Sequence, residues 1–285
     1  MDPTQLIVVT GASTGIGAAT AKELARRGFH VLAGVRREVD AQMLCTVDGI
    51  EPCILDITSD TDVAALADRV ARDSRPLRAL VNNAGVAINA PLEILPIAQW
   101  RRQFDVNLFG HIAVTQALFP HLLKSAGTVV NISSIGGKVA LPTYGAYAGS
   151  KFAMEAVSDA LRRETGGTGI NVVVIEPGAV KTQIAERGIA TSEGLAAAMT
   201  VEQRARYDTL VNAVTAQARS FDATGKPAKT AAKVIADAAT ASRPRTRYTI
   251  GRDAAMLSRV SRLVSDRTLD RIMRINLRQF SRTTS

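Results

Sequence analysis

Aromatic side chains make up only 4% of this 285-residue chain, so aliphatic residues must fill whatever core it builds. Cysteine is nearly absent too. Cys45 and Cys53 lie too close in sequence for a disulfide framework and lack metal-ligand spacing, which points to a reduced, intracellular setting. The three histidines, His30, His111 and His121, share no metal-ligand spacing and no partnered nucleophile, so packing or surface roles and no metal site are expected. No apolar run approaches the roughly 18–20 residues needed to cross a bilayer. The start, MDPTQLIVVT, lacks the basic-then-apolar pattern of a signal peptide and runs straight into a strand, so a soluble, cytoplasmic protein is expected. Internal repeats and low-complexity linkers are missing as well.

What is present is apolar: 46% of the residues are hydrophobic and 21% charged, enough to bury a large core in one α/β domain or two small ones. A net charge of +9 hints at nucleic acid. However, eleven arginines against Asp253, Asp266 and Asp270 concentrate +8 of it in residues 243–285. A basic tail on a nearly neutral body argues against nucleic acid as the partner.

Up to about residue 185, short Val/Ile/Leu runs at 6–10, 30–35, 52–55, 79–81, 128–132 and 171–175 alternate with longer helix-period stretches. Strands apolar on both faces and separated by helices predict a doubly wound, Rossmann-type parallel α/β sheet, with ligands at the carboxyl ends of its strands. Residues 183–228 read as loop plus short helices. A helix near 229–241 then leads to a last strand at 247–250, and an arginine-rich amphipathic stretch follows Gly251. The expected organisation is one domain over 1–251, with a substrate lid at 183–228, and a C-terminal extension over 252–285.

The first strand ends in TGASTGIG, which opens a helix running to about Arg27. Gly11, Gly15 and Gly17 let the backbone approach a pyrophosphate closely, and the helix N-terminus offers unpaired N–H groups and a favourable dipole. The second strand ends in GVRRE, with no carboxylate before Arg36 and Arg37, and with Ser13 and Thr14 in the loop facing that spot. A ribose 2′-hydroxyl calls for an acid there and a 2′-phosphate for arginine, so NADP(H) is favoured over NAD(H); the alternative is a solvated arginine pair.

Tyr147 begins the long helix after the fifth strand, and Lys151 follows four residues on, so both side chains share a helix face. A nearby ammonium is expected to pull the phenol down from its ordinary value near 10 toward a working range. Tyr144 has no lysine at that offset. The preceding strand ends in NISSIGG, placing Ser133 and Ser134 at the same sheet edge, where a hydroxyl can bond a substrate oxygen or simply cap a turn. Asn107, inside an apolar helix, is either satisfied structurally or holding water.

Together, TGASTGIG, the Asp56–Ile57 pair, NNAG, Asn107, Ser134, Tyr-x-x-x-Lys and EPGAVKT resemble the short-chain dehydrogenases/reductases of the non-extended type, over about residues 5–250. The resemblance implies Tyr147 as general acid/base, Lys151 lowering its pKa and binding the nicotinamide ribose, Ser134 polarising the carbonyl, and Asn107 anchoring a water. It implies further cofactor contacts from Ile16 in the loop, from Asp56 and Ile57 to the adenine, and from Asn83, Ala84 and Gly85 to the adenosine ribose side. Pro177, Gly178, Val180 and Thr182 would contact the nicotinamide. A homodimer or homotetramer packed through helices around 100–123 and 147–165 is implied as well. The rival reading is a non-catalytic NADP-binding sensor on the same fold, but every catalytic position is filled.

The strand-two ending and the ISSIGGKVALPTYGAYAGSKFAMEA stretch look most like the hydroxysteroid- and retinol-dehydrogenase branch, implying a small lipophilic alcohol or carbonyl substrate. Ile189, Leu195, Met199, Tyr207, Leu210, Val211 and Val214 either line such a pocket or pack on the body. On a helical wheel over 267–282, Arg267, Arg271, Arg274 and Arg278 oppose Leu269, Ile272, Met273 and Phe280. That helix docks on protein with a solvated basic face, rests on anionic lipid as a peripheral membrane contact, or meets nucleic acid. Trp100, near a helix start, reads as a packing residue.

Overall fold

Alternate residues of the first strand belong to different cores. Ile7 and Val9 join one apolar cluster, while Leu6 and Val8 join another on the opposite face, as the two-residue period of a strand requires. The computed structural model describes residues 4–281. Residues 1–3 of the expected domain, and the part of the expected extension and helical wheel beyond 281, lie outside the described residues.

The order is β1 (Leu6–Val9), α1 (Gly15–Arg26), β2 (His30–Val35), α2 (Glu38–Leu44), β3 (Ile50–Ile54), α3 (Asp60–Ala71) and β4 (Leu77–Asn82). Next come α4 (Ile97–Phe104), a π turn (Asp105–Phe109), α5 (Gly110–Ser125), β5 (Thr128–Ile132), a short 3-10 turn (Ile135–Gly137) and α6 (Gly145–Glu164). Then follow β6 (Asn171–Pro177), β7 (Val180–Lys181), α7 (Gln183–Ala197), α8 (Val201–Thr224), β8 (Lys226–Pro227), α9 (Ala228–Thr240) and β9 (Arg247–Ile250). The described residues close with α10 (Arg252–Leu263) and α11 (Asp266–Ser281).

Seven strands form one parallel sheet in the order β3-β2-β1-β4-β5-β6-β9, so the strand order reverses between β1 and β4. In such a sheet the crevice at the reversal, outside the carboxyl ends of the strands, is where ligands bind. Helices α1 and α9 cover one face; Ala231, Ala232, Ala236, Ala238 and Ala239 are fully buried there, and such small side chains permit a close approach. The other face lies under α3 and α5, through Val63, Leu66, Val114, Leu118 and Leu122. The expected parallel α/β sheet is therefore what the chain forms, with β3 and β4 each longer than the apolar runs at 52–55 and 79–81.

Two expectations need correction. Residues 183–228 are not short helices: α7 has 15 residues and α8 has 24. A reciprocal cap starts α8, with Gln203 N–H donating to Thr200 Oγ1 at 3.2 Å and Thr200 N–H donating to Gln203 Oε1 at 3.0 Å. Inside α7, Gly188 is tolerated because it lies against Ala87, where a Cβ would come within 3.2 Å. The tail helix also uses a narrower apolar seam than the wheel implied. α11 packs on α8, with Leu269, Met273, Leu277 and Phe280 half-buried and Gln217 Nε2 donating to Asn276 Oδ1 at 2.6 Å, while Ile272 is 44% exposed. Of the readings open for the tail, docking on its own chain is the one the structure displays.

Candidate active site

The loop after β1 is held by the loop after β4. Thr10 Oγ1 accepts from Asn83 N–H at 3.0 Å and from Ala84 N–H at 3.1 Å, and Asn83 Nδ2 donates to the carbonyls of Thr10 at 2.9 Å and Gly11 at 3.0 Å. Gly11 and Gly15 adopt φ of 63° and 58°, which side-chain-bearing residues rarely do. A Cβ on Gly11 would lie 2.6 Å from Cα of Ala84, and one on Gly17 would overlap Gly11's carbonyl oxygen and Asn83 Nδ2. The first turn of α1 carries no acidic residue, and no side chain caps it from Thr14. Ser13, Thr14, Gly15 and Ile16 are part-exposed there. Backbone donors that are free of a side-chain cap, on a loop no Cβ could enter, fit a pyrophosphate.

Around that cradle the strand ends supply the rest. Arg37 is tied to Asp40 by two hydrogen bonds of 2.7 Å, whereas the exposed Arg36 has no hydrogen bond or ion pair among the described residues. Asp56 accepts from Thr58 N–H and Oγ1, and its carboxyl lies below the ordinary range: burial pushes it up, but the Thr58 bonds and Arg36 outweigh that. Ile57 is buried against Gly110. Gly85 faces Asn107 Oδ1, 3.5 Å from where its Cβ would be. After β6, Pro177 and Val180 are buried and Gly178 N–H donates to Ile250 O at 2.9 Å. Thr182 reaches back to within 3.3 Å of the position a Gly15 Cβ would take, closing the segment over the phosphate loop.

Ser134, Tyr147 and Lys151 meet between β5 and α6. Ser134 Oγ accepts from Gly136 N–H at 3.0 Å and hydrogen-bonds with Tyr147, while Ser133 Oγ is buried without a partner beside Gly137. Lys151 Nζ sits 5.9 Å from the Tyr147 ring centroid and donates to Ile132 O at 2.8 Å. Burial pushes the Lys151 ammonium down to about 8, with Glu155 opposing. Tyr147 differs from the expectation: burial raises its phenol above 10, and the Ser134 bond only partly offsets this. Desolvation wins because the lysine's charge is turned to a backbone carbonyl and not to the phenol oxygen.

Asn107 is fully buried in the π turn. Its Oδ1 accepts from Val86 N–H at 2.9 Å, and its Nδ2 donates to Val86 O at 3.0 Å and to Ser150 Oγ at 3.2 Å. Both amide hydrogens are thus committed to protein, and the side chain ties the loop after β4 to the catalytic helix. Several supports escaped the sequence reading. Gln103, also fully buried, bonds Val86 O and Ile88 N–H; Asn82 and Asn131 bond side chain to side chain across β4 and β5 at 2.9 Å. Polar residues inside apolar segments were the available signal for each. His111 packs as expected, its Nε2 2.8 Å from Ala84 O, with its pKa driven down to about 3 by burial and by Lys151. Trp100 likewise packs, against Gly145. Among the described residues no cluster of His, Cys, Asp or Glu forms a metal site.

Comparison with known proteins gives the same picture. The family model described as short chain dehydrogenase matches residues 5–193. A 3-amino-tetrahydro-pyrrolizinone reductase of Xenorhabdus hominickii is 34% identical over 93% of this chain and 93% of its own. An NADPH-dependent 3-dehydrocapnine reductase of Ornithobacterium rhinotracheale is 32% identical over 96% and 98%, and mouse retinol dehydrogenase 7 is 36% identical over 88% and 81%. Among solved structures, a short-chain dehydrogenase from Streptomyces avermitilis superposes with a TM-score of 0.76 at 27% identity, covering 100% and 98% of the two chains. Two more distant folds are a Burkholderia cenocepacia short chain dehydrogenase in complex with NADP (24% identity, TM-score 0.72, covering 94% and 97%) and a Burkholderia phymatum one in complex with NAD (23%, 0.76, covering 91% and 94%). A phosphate cradle at the strand-order reversal, with a Ser–Tyr–Lys group across it, makes this chain a nicotinamide-dependent oxidoreductase of the short-chain dehydrogenase/reductase family, on the side that includes the retinol dehydrogenases.

Proposed function

We propose that the protein interconverts a lipophilic secondary alcohol and its ketone, or a primary alcohol and its aldehyde, with NADP(H), using Tyr147 as general acid/base. The observation carrying this reading is the meeting of Ser134, Tyr147 and Lys151 at the sheet edge beside the uncapped start of α1. When bound, the dinucleotide supplies or accepts the hydride. Gly11, Ser13, Thr14, Gly15, Ile16 and Gly17 would hold its pyrophosphate; Asp56, Ile57, Asn83, Ala84 and Gly85 would hold its adenosine half, and Pro177, Gly178, Val180 and Thr182 its nicotinamide end. Tyr147 gives its proton to the carbonyl oxygen in reduction and takes it back in oxidation. The Ser134 hydroxyl, bonded to Tyr147 and accepting from Gly136 N–H, stands beside the phenol and would turn its hydrogen to the same substrate oxygen. Lys151, 5.9 Å from the ring centroid, would bind the nicotinamide ribose, and its charge would favour the phenolate as the proton leaves. With the Asn107 side chain committed, water in a proton relay is left to its main chain in the widened π turn.

Arg36 supports NADP(H), since its guanidinium is unpaired at the end of β2 where a 2′-phosphate would lie. The NADPH-dependent relative covered along nearly its whole length points the same way. Exposed Phe109 and Phe152, on the π turn and α6, support a homodimer or homotetramer through these helices. A cytoplasmic setting fits the free Cys45 and Cys53; among the described residues no helix is long and apolar enough to cross a membrane. Peripheral membrane contact would fall to Ile272 and Ile275, exposed on the basic tail helix.

The test is oxidation of NADPH and of NADH with a panel of lipophilic ketones and aldehydes. Tyr147→Phe should lower turnover by at least roughly 10²-fold while leaving NADPH binding intact. Surviving activity overturns the mechanism, and a clear NADH preference untouched by Arg36→Ala overturns the cofactor assignment.

A further inference from the structure

Helices α8 and α11 and residues 140–142 line an open cleft of about 640 Å³, within the roughly 300–1,000 Å³ of small-molecule sites. Its lining divides by chemistry. Leu141, Leu210, Met273 and Leu277 are apolar, while Arg206, Asp270, Arg274 and Arg278 are charged. One wall is joined to the reacting group through a turn. Tyr144 N–H donates to Leu141 O at 3.1 Å, closing a turn that carries Leu141 on the cleft and stacks the Tyr144 ring edge-on against Tyr147 at 6.2 Å. Thr143, inside that turn, has φ 69°, an uncommon conformation for a β-branched residue and one that a surrounding structure must enforce.

The arginines are not equivalent. Arg206 is neutralised by an ion pair with Glu93, whose other oxygen accepts from Tyr207 OH at 2.8 Å. Arg274 lines the cleft, exposed, with no hydrogen bond or ion pair among the described residues. A cleft with an apolar strip and an exposed guanidinium beside it is complementary to an amphiphilic anion, because a carboxylate meets arginine through charge-assisted bonds while the chain it carries is removed from water.

We propose that this cleft is an outer substrate subsite for a carbonyl compound whose apolar chain ends in a carboxylate, with Arg274 as the head-group residue and α11 as a specificity-determining wall. The proposal rests on the oxidoreductase reading for its reaction, but not for its binding. The experiment compares two probes, a medium-chain keto acid with a terminal carboxylate and its methyl ester. Each is assayed by NADPH oxidation and by calorimetric binding to the full-length enzyme. The wild type should favour the acid by about tenfold in kcat/KM, the scale of one charge-assisted hydrogen bond, and added salt should narrow the gap. Arg274→Gln should bring the ratio near unity by raising KM for the acid alone, with kcat for the ester unchanged, and Arg274→Lys should restore part of it. Turnover of both probes without a preference, or a preference that survives Arg274→Gln, overturns the subsite and leaves the oxidoreductase reading standing. Arg274-dependent binding of the acid without turnover of either probe supports the subsite and counts against the reaction. Absence of any binding overturns the subsite.

Discussion

Lys151 and His111 are both buried, and burial drives both pKa values down, to about 8 from 10.5 and to about 3 from 6.5. In each case the unfolded chain holds the proton more tightly, so stability rises with pH across the interval between the two values. For His111 that means stability lost as pH falls from 6.5 toward 3. For Lys151 it means stability gained as pH climbs from about 8 to 10.5. Replacing Lys151 by Met should abolish turnover and remove the alkaline gain. Urea midpoints should therefore show the wild type gaining on Lys151→Met through that alkaline interval. A constant difference would show that the lysine is not buried as a charge. Tyr147 and Lys151 were legible as a helical-spacing pair, whereas Ser134 was separated from Ser133 only through the family resemblance. What Asn107 does was not legible, since its partners Val86 and Ser150 come from a distant loop and a different helix.

At the scale of elements, the phosphate loop is a joint structure of β1, α1 and the loop after β4. Gly17→Ala would drive a methyl group into Gly11's carbonyl and the Asn83 amide, so the loop must leave its brace while the strands behind it keep their pairing. NADPH should then bind at least about tenfold more weakly in a fluorescence titration, as expected when one or more charge-assisted bonds to phosphate are lost. Unchanged affinity would mean that phosphate binds elsewhere. The strands were readable because both their faces are apolar. Helix α8 is longer than the short helices expected over 183–228, although its T-x-x-Q start at Thr200 is in the sequence, because alanine and glycine upstream suggest loops. The seam of α11 was misjudged at Ile272 because a wheel ranks residues by hydropathy, whereas the partner helix α8 selects which of them it covers.

Across the whole molecule, a partly buried ionic cluster joins the catalytic helix to the sheet's far edge. Glu155 on α6 receives Lys138 at 2.6 Å and Arg247 of β9 at 3.2 Å. Arg247 also reaches Asp159 at 2.9 Å and Glu176 of β6 at 3.4 Å. Arg247→Leu would leave two carboxylates, 7% and 4% exposed, with Lys138 as their remaining cation. Breaking such a pair costs several kcal/mol when nothing replaces the lost charge, and roughly 2–3 kcal/mol is expected here because Lys138 stays. A denaturant melt reads that loss directly, and an unchanged midpoint would show the cluster to be dispensable. No part of this network was legible in the sequence, since it assembles from residues as far apart as Lys138 and Arg247.

The two-residue strands β7 and β8 have a consequence of another kind. By pairing Val180 with Lys226 and Lys181 with Pro227, they bring the ends of the α7–α8 excursion side by side. The excursion is thereby hung from the sheet by a clasp, outside the seven-strand register. A graft of residues 182–225 from a relative would meet matching ends and leave the reacting groups where they are. The excursion is in that sense a cassette, exchangeable at its paired ends without renegotiating the register by which the sheet folds.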